Sequence, residues 1–94
     1  MSKDTTMVTT KPARTVIHDE TILRGEPIIS GTHIPVRSVY LMAKSYRGDL
    51  AAVQHALPTL SLADISLALR YQRENPDEIA AWIAYDASDD DDPL

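Results

Sequence analysis

The sequence predicts a mainly α-helical α+β fold, in which a short N-terminal β-element precedes a helix-turn-helix-like domain of three to four helices. Two observations support this prediction. Residues 15–34 are rich in β-forming residues that Pro27 and Gly31 interrupt, as in short strands joined by turns. From Val36 onward, apolar residues instead recur with the period of amphipathic helices, and capping residues divide that pattern into separate helices.

The β-element is predicted as three short segments. The first strand covers residues 15–18, with residues 22–23 as a candidate continuation. Pro27 fixes φ and lacks a backbone donor, which suits the start of an edge strand over residues 27–29. Gly31 supplies the positive φ of a tight turn, and residues 32–34 then form the last β-segment before Pro35.

The first two helices are predicted from apolar stripes. The helix over residues 36–47 has one apolar face, formed by Val36, Val39, Tyr40 and Ala43. Gly48 ends this helix, and Asp49 is the predicted N-cap of a second helix that Pro58 terminates. The buried stripe of the second helix consists of Leu50, Val53 and Leu57.

The third helix has the best-marked start. Ser61 is its predicted N-cap, and Asp64 lies where an acidic side chain can close a capping box. Leu60 and Ile65 are spaced as a hydrophobic staple across the same turn. The predicted buried face of this helix carries Leu62, Ile65, Leu69 and Gln72.

The fourth helix begins with Asn75 as its N-cap and Pro76 in its first turn. Its apolar face carries Ile79, Trp82, Ile83 and Tyr85. The chain therefore divides into a disordered N-terminal segment over residues 1–14, a helix-turn-helix-like domain with N-terminal strands over residues 15–75, and a C-terminal helix with an acidic tail over residues 76–94.

The composition indicates one small domain in the cytoplasm. The chain has 94 residues, a net charge of −5 and no cysteine, so disulfides and zinc–thiolate sites are excluded. No apolar run approaches the length of a membrane-spanning helix, and the N-terminus lacks a signal-peptide core. Residues 1–47 carry seven Lys/Arg against four Asp/Glu (+3), whereas residues 48–94 carry two against ten (−8). This asymmetry suggests a basic functional half and an acidic tail, although an aspartate run can equally serve only as a solvated chain end.

Two motifs resemble those of the bacterial and archaeal DUF433 family. They are GEPIISGTHIPV at residues 25–36 and LPTLSLADISLALRYQREN at residues 57–75, and the similarity extends over about residues 16–75. The sequence departs from the family pattern at His33, where arginine is usual, at Arg24, which replaces the first glycine of a pair, and at Leu57, which replaces a tyrosine. The resemblance implies a helix-turn-helix-like domain that frequently serves as a VapB-like antitoxin.

The second and third predicted helices have helix-turn-helix spacing. In that arrangement the later helix enters the major groove of DNA, led by its N-terminal residues. The N-terminal residues here are uncharged or acidic, so the positive charge comes from Arg70 and Arg73, with Arg37 and Lys44 as further DNA-binding candidates. A small three-helix core without DNA-binding activity explains the same spacing. His33 is expected to take a structural hydrogen bond across its turn, with a phosphate contact as the alternative.

The other candidate sites are interaction surfaces. A toxin-binding surface is predicted at Trp82, Ile83, Tyr85 and Asp86, because aromatic residues flanked by polar residues commonly anchor interfaces. Packing of these residues on the chain's own helices is an equal alternative. A homodimer is predicted through the exposed strand edges, at Val16, Ile17, Ile28 and Ile29.

No pattern of an enzyme active site is found in the sequence. Asp19 and Glu20 are adjacent, so in a strand their side chains point to opposite faces. The sequence has no glycine-rich phosphate-binding loop, and its histidines lack carboxylates at metal-ligand spacing, so neither a metal nor a cofactor is expected. We therefore expect an antitoxin that neutralises a PIN-like ribonuclease toxin and, as a DNA-binding dimer, represses its own operon. The alternative is a dimeric interaction or adaptor module that does not bind DNA.

Overall fold

The computed structural model describes the backbone of residues 14–91 and the side chains of residues 14–85. Two strands, β1 (Val16–His18) and β2 (Pro27–Ile29), precede four α-helices. These helices are α1 (Val36–Ser45), α2 (Leu50–Ala56), α3 (Leu62–Glu74) and α4 (Pro76–Asp91). The α+β class with a short N-terminal β-element is confirmed. The predicted segment over residues 1–14 lies outside the described residues except for Arg14.

The two strands form an antiparallel hairpin-like sheet in which Val16 is paired with Ile29 and Ile17 with Ile28. The third predicted β-segment is not a strand, because Thr32 turns the chain there. The Thr32 N–H and hydroxyl both donate to the carbonyl oxygen of Ile29, at 3.1 and 2.8 Å. Beyond this turn, a single isolated antiparallel bridge links Ile28 to Pro35.

The predicted strand continuation at residues 22–23 is also wrong. Leu23, Arg24 and Gly25 have φ angles of 54, 59 and 83°, so this segment is a left-handed turn. Left-handed residues cannot continue a strand, since a strand requires negative φ at every position. The turn reverses the chain between β1 and β2 and brings Glu26 to the start of β2.

The core is aliphatic and lies between the helices and one face of the sheet. α1 packs mainly against α3, and α3 also contacts α2, α4 and β1. The buried cluster takes residues from β2, from all four helices and from the turn before α3, and consists of Ile29, Val36, Val39, Ala43, Val53, Leu60, Ile65, Ala68 and Ile79. Burial of these side chains provides the main stabilisation that holds the strands against the helices.

The predicted caps of α2 and α3 are confirmed. The Asp49 side chain accepts a hydrogen bond from the Ala52 N–H at 3.2 Å. Ser61 and Asp64 form a complete capping box, in which each side chain accepts from the backbone N–H of the other, at 3.1 and 2.9 Å. Leu60, the residue before this box, is buried as the predicted staple requires.

Three details of the helices differ from the prediction. α1 ends at Ser45 rather than residue 47, because Arg47 adopts a left-handed φ of 58° before Gly48. Leu62 is 48% exposed, since Leu60 supplies the apolar side chain at that end of α3. Asn75 has the predicted N-cap position of α4, where its carbonyl accepts from the Ile79 N–H at 3.2 Å, but its side-chain amide donates to the carbonyl oxygen of Tyr71 at 3.1 Å and so caps the C-terminus of α3.

Candidate functional site

α3 presents the clearest candidate nucleic-acid surface. Its inner side, at Ile65 and Ala68, is buried against α1 and α2, which joins α3 through a short turn. Its outer side exposes Ala63, Ser66, Arg70 and Arg73. The N-terminal half of this stripe is uncharged, and the two arginines, one turn apart, give the C-terminal half its positive charge. The structure thus places two of the four predicted DNA-binding residues on one exposed helix face.

Arg37, the third predicted DNA-binding residue, is held inside the protein by Glu26. Its Nε lies 2.5 Å from Oε2 of Glu26, and its Nη2 lies 3.3 Å from Oε1. The side chains of Arg37 and Glu26 are 17% and 4% exposed, so this two-contact ion pair is largely removed from water. A buried carboxylate requires such a partner, and Arg37 therefore has a structural role. The sequence signal for this pair was a charged residue, Glu26, set directly before an apolar strand.

The remaining cations are also arranged by local contacts. The Lys44 ammonium lies 5.4 Å from the ring centroid of Tyr40, one turn earlier on α1, and the Lys44 side chain is exposed. Arg14 donates to the carbonyl oxygen of Ser30 at 3.1 Å, and its Nε lies 3.4 Å from the Asp64 carboxylate. Lys44 therefore remains accessible to a phosphate, whereas Arg14 links the β-element to the start of α3.

The predicted toxin-binding residues are divided between core and surface. Ile83 packs against the buried cluster, while Trp82 is half-buried and Tyr85 is 46% exposed. The rings of Trp82 and Tyr85 meet edge to face, with centroids 5.8 Å apart. The guanidinium of Arg24 lies 5.2 Å from the Tyr85 ring centroid and also donates a hydrogen bond to the Tyr85 hydroxyl. The side chain of Asp86 and the acidic tail from residue 92 onward lie outside the described part of the chain.

A second polar cluster joins β1 to the last two helices, and no local sequence pattern predicts it. His18 Nε2 lies 2.9 Å from Glu78 Oε2 and 3.3 Å from the Tyr71 hydroxyl. The Tyr71 hydroxyl donates to Glu78 Oε1 at 2.6 Å. Partial burial and this contact with the Glu78 carboxylate raise the pKa of Tyr71 to about 12. His18 lies 53 residues before Tyr71 and 60 residues before Glu78, so only the packing of β1 on α3 and α4 brings His18 to them.

His33 lies exposed after the Gly31 turn. Within the described residues its side chain forms no hydrogen bond, so the expected bond across the turn is not present there. The pKa of nearby Asp19 is lowered chiefly by hydrogen bonds from the Thr21 hydroxyl and backbone N–H, with His33 as the smallest of the causes.

The predicted dimer residues are mostly buried within one protomer. Ile28 and Ile29 are fully buried, and Val16 is half-buried against the core. Ile17 is 36% exposed on the opposite face of β1. An interface at this site therefore has Ile17 and the backbone edge of β1 as its accessible parts.

Neither a metal-binding cluster nor a membrane-spanning helix is found in the part of the chain that the structure describes. Residues 14–85 contain no group of three or more His, Cys, Asp or Glu side chains placed to hold a metal ion. No helix over residues 14–91 is long and apolar enough to cross a membrane.

Comparison with known proteins identifies the family to which the chain belongs. No curated protein and no solved structure matches the chain. Residues 16–72 match the family described as "Protein of unknown function (DUF433)". The match covers more than half of the chain and includes the first sequence motif, most of the second, both strands, helices α1 and α2, and all but the last two residues of α3. The chain therefore belongs to the DUF433 family.

Proposed function

We propose that this protein is the antitoxin of a toxin–antitoxin pair, neutralising a PIN-like ribonuclease in the cytoplasm and repressing its own operon as a DNA-binding dimer. The observation that carries the proposal is the arrangement of α3. This helix follows α2 across a short turn, rests on α1 and exposes Arg70 and Arg73 on its outer side. Such a helix fits the major groove of DNA with its basic residues near phosphates.

The DNA-binding activity would rest on exposed cations. Arg70, Arg73 and Lys44 form no ion pair within the described residues and are exposed to solvent, so they can approach phosphates without breaking an ion pair. Arg37 would contribute indirectly, by fixing the start of α1 against Glu26. Two copies on one operator would double the phosphate contacts and make affinity strongly dependent on salt.

The toxin-binding activity would use the outer side of α4. Trp82 and Tyr85 form an edge-to-face pair that is partly exposed, which is typical of residues that anchor an interface. Arg24 holds the Tyr85 ring in place before any partner binds. A preorganised aromatic pair loses little side-chain entropy on binding, which favours affinity.

Co-expression with the neighbouring gene product tests the proposal. We expect the neighbour to be toxic by itself, and expect this chain to restore growth and to co-purify with it. The double substitution Trp82→Ala and Tyr85→Ala should weaken both effects. Tyr46→Ala is the matched control, because Tyr46 is 43% exposed on a different surface. A harmless neighbour, or rescue that is unaffected by the α4 substitutions, would refute the proposed toxin-binding surface.

The second candidate is a dimeric adaptor that does not bind DNA. It is favoured by the first half of the outer side of α3, which carries no positive charge, and by the internal ion pairs of Arg14 and Arg37. Joint substitution of Arg70 and Arg73 by alanine distinguishes the two functions. An antitoxin that represses its operon should lose operator binding and keep toxin binding, whereas an adaptor should keep every activity.

A further inference from the structure

The outer edge of β1 has open backbone groups. The Ser30 N–H donates to the Thr15 carbonyl at 2.8 Å, which fixes Thr15 and Ser30 as a hydrogen-bonded pair. In an antiparallel ladder the next pair, Val16 with Ile29, is then non-hydrogen-bonded. The backbone N–H and C=O groups of Val16 point away from β2, and those of Ile29 point away from β1. Accordingly, Ile29 donates to Ile34 at 3.0 Å, on the side away from β1.

By the same alternation, the N–H and C=O groups of Val16 and His18 point to the outer side of β1. Within residues 14–91 no other strand pairs with that side, since the sheet has two strands. The opposite edge of β2 is different, because the Ile28–Pro35 bridge and the Ile29–Ile34 hydrogen bond cover it. β1 is therefore the edge at which another strand can be added.

A shallow groove lies beside this edge. It is lined by Val16 and by one face of α3, at Leu67, Arg70, Tyr71 and Glu74. Leu67 and Tyr71 are half-buried, whereas Arg70 and Glu74 are exposed and carry opposite charges. A strand added to β1 would place alternate side chains over this groove, against both an apolar floor and a charged rim.

We propose that a second copy of this chain occupies this edge, with β1 pairing antiparallel to its own copy about a two-fold axis at Ile17. In this register the outward groups of Val16 in one copy meet those of His18 in the other, and every added hydrogen bond is formed twice. The result is a continuous four-stranded sheet in the order β2, β1, β1, β2. This self-complementarity identifies the partner as a second copy of the chain, because the outward N–H and C=O groups of the two β1 strands lie at matching positions.

Two further observations fit a second copy as the occupant. Ile17 is 36% exposed, and the two-fold axis buries it against Ile17 of the other copy. A two-fold axis also runs the two α3 helices in opposite directions, so a groove that carries Arg70 and Glu74 is complementary to itself. The inference rests on the dimer in the proposed function and specifies its interface. It also places Arg70 at the edge of that interface, which leaves Arg73 as the more accessible cation of α3 for DNA.

Cysteine cross-linking tests the register, and the chain suits it because it contains no cysteine. Ile17 would be directly opposite its copy in a non-hydrogen-bonded pair, with Cα atoms about 4.5 Å apart, a separation within the range that a disulfide spans. Ile17→Cys in the full chain should therefore oxidise to a covalent dimer on a non-reducing gel. Leu62→Cys is the matched control, since Leu62 is 48% exposed on α3 and should remain mostly uncross-linked.

The mass in solution, measured by analytical ultracentrifugation without toxin or DNA, completes the test. The unmodified chain should be a dimer, Ile17→Lys should dissociate it, and Leu62→Lys should not. A monomeric unmodified chain overturns the inference, as does equal cross-linking of both cysteine variants. A dimer that Ile17→Lys leaves intact overturns this interface while leaving the proposed function standing. If the interface is confirmed but the chain binds neither toxin nor DNA, the interface stands and the proposed function is overturned.

Discussion

At the level of single residues, the left-handed turn before β2 holds side chains at backbone angles that favour glycine. Leu23, Arg24 and Gly25 all have positive φ, and only the last of them is glycine. A side chain at positive φ crowds the backbone, and glycine avoids that cost. Arg24 partly offsets the cost through its hydrogen bond and ring contact with Tyr85.

We predict that Arg24→Gly is about 0.5–1 kcal/mol more stable than Arg24→Ala. Both variants lose the Tyr85 contacts, but only alanine keeps a Cβ atom at the left-handed position. Urea denaturation of both variants at one protein concentration measures the difference. Equal free energies of unfolding would show that the left-handed backbone costs nothing at this position.

Tyr71 should respond to pH in a way that reports its contact with Glu78. Its pKa in the folded protein is about 12, above the ordinary value of 10.0, so the folded state holds the phenol proton more tightly than the unfolded state does. Both states are protonated below about pH 10, and the stability from this group is lost as the pH rises from about 10 to 12. The free energy of unfolding should therefore decrease between about pH 10 and pH 12.

Absorbance of tyrosinate measures this effect directly. One of the four tyrosines should ionise near pH 12, and Tyr71→Phe should remove that late phase. Glu78→Gln should shift the late phase to lower pH, because it removes the carboxylate charge that opposes ionisation. Asp77→Asn is the control, since Asp77 is a neighbouring acid on α4. An unchanged titration in Glu78→Gln would contradict the assigned cause.

At the level of secondary-structure elements, α3 is the helix whose start is most strongly specified. Its capping box satisfies the N–H groups of Ser61 and Asp64, which would otherwise lack partners in the first turn. The Asp64 carboxylate also contacts Arg14, so the start of α3 is tied to the β-element. The cap therefore positions the helix that carries Arg70 and Arg73.

Ser61→Ala should lower the free energy of unfolding by about 1 kcal/mol, because it leaves the Asp64 N–H without its acceptor. Ser66→Ala provides a matched control within the same helix. Ser66 is exposed in the helix interior, where alanine is the better helix former, so this variant should be as stable as the unmodified chain or slightly more so. Denaturation midpoints that fall equally in both variants would contradict the role of the cap.

Local sequence predicts some element boundaries and misses others for identifiable reasons. The caps at Asp49 and Ser61 are predictable because a short side chain bonds to the backbone a few residues away. The third β-segment is wrong because the Thr32 hydroxyl competes for the same backbone groups, a choice that β-propensity does not register. The side chain of Asn75 is also not predictable from local sequence, because it lies between two helices and its amide can cap either of them. In the folded chain the amide bonds to α3.

For the whole molecule, the arginines separate into those that hold the fold together and those that face solvent. Arg37 and Glu26 form a largely buried ion pair between α1 and the start of β2. Removing one partner of such a pair leaves an uncompensated buried charge. By contrast, Arg73 is exposed near the end of α3 and has no ion pair within the described residues.

We predict that Arg37→Ala lowers the free energy of unfolding by about 3 kcal/mol. The double variant Glu26→Gln with Arg37→Met should recover part of this loss, because no buried charge is left unpaired. Urea denaturation measures both variants. If Arg37→Ala instead lowers DNA affinity while leaving stability unchanged, its predicted role as a phosphate contact is correct and the structural role is wrong.

Arg73→Ala should behave oppositely to Arg37→Ala, with little loss of stability and weaker DNA binding. Its stability should change by less than about 0.5 kcal/mol, as is usual for an exposed surface position. Its affinity for operator DNA should fall, and the slope of log affinity against log salt should decrease by about 0.9, the value for one lost phosphate contact. Arg14→Ala, which removes an arginine held by Asp64, serves as the control for the salt slope. An unchanged slope in Arg73→Ala would favour the adaptor function.

The sequence was sufficient for features that depend on near neighbours: the α+β class, four helices with their apolar faces, and the caps of α2 and α3. These features arise from periodicity and from hydrogen bonds that span a few residues. The structure alone shows that Arg37 is bound to Glu26, that His18, Tyr71 and Glu78 meet, and that β1 keeps an open edge beside α3. Each of these depends on which elements pack together. Glu26 and Arg37 are 11 residues apart and His18 and Glu78 are 60 residues apart, so these contacts leave no mark on the local pattern.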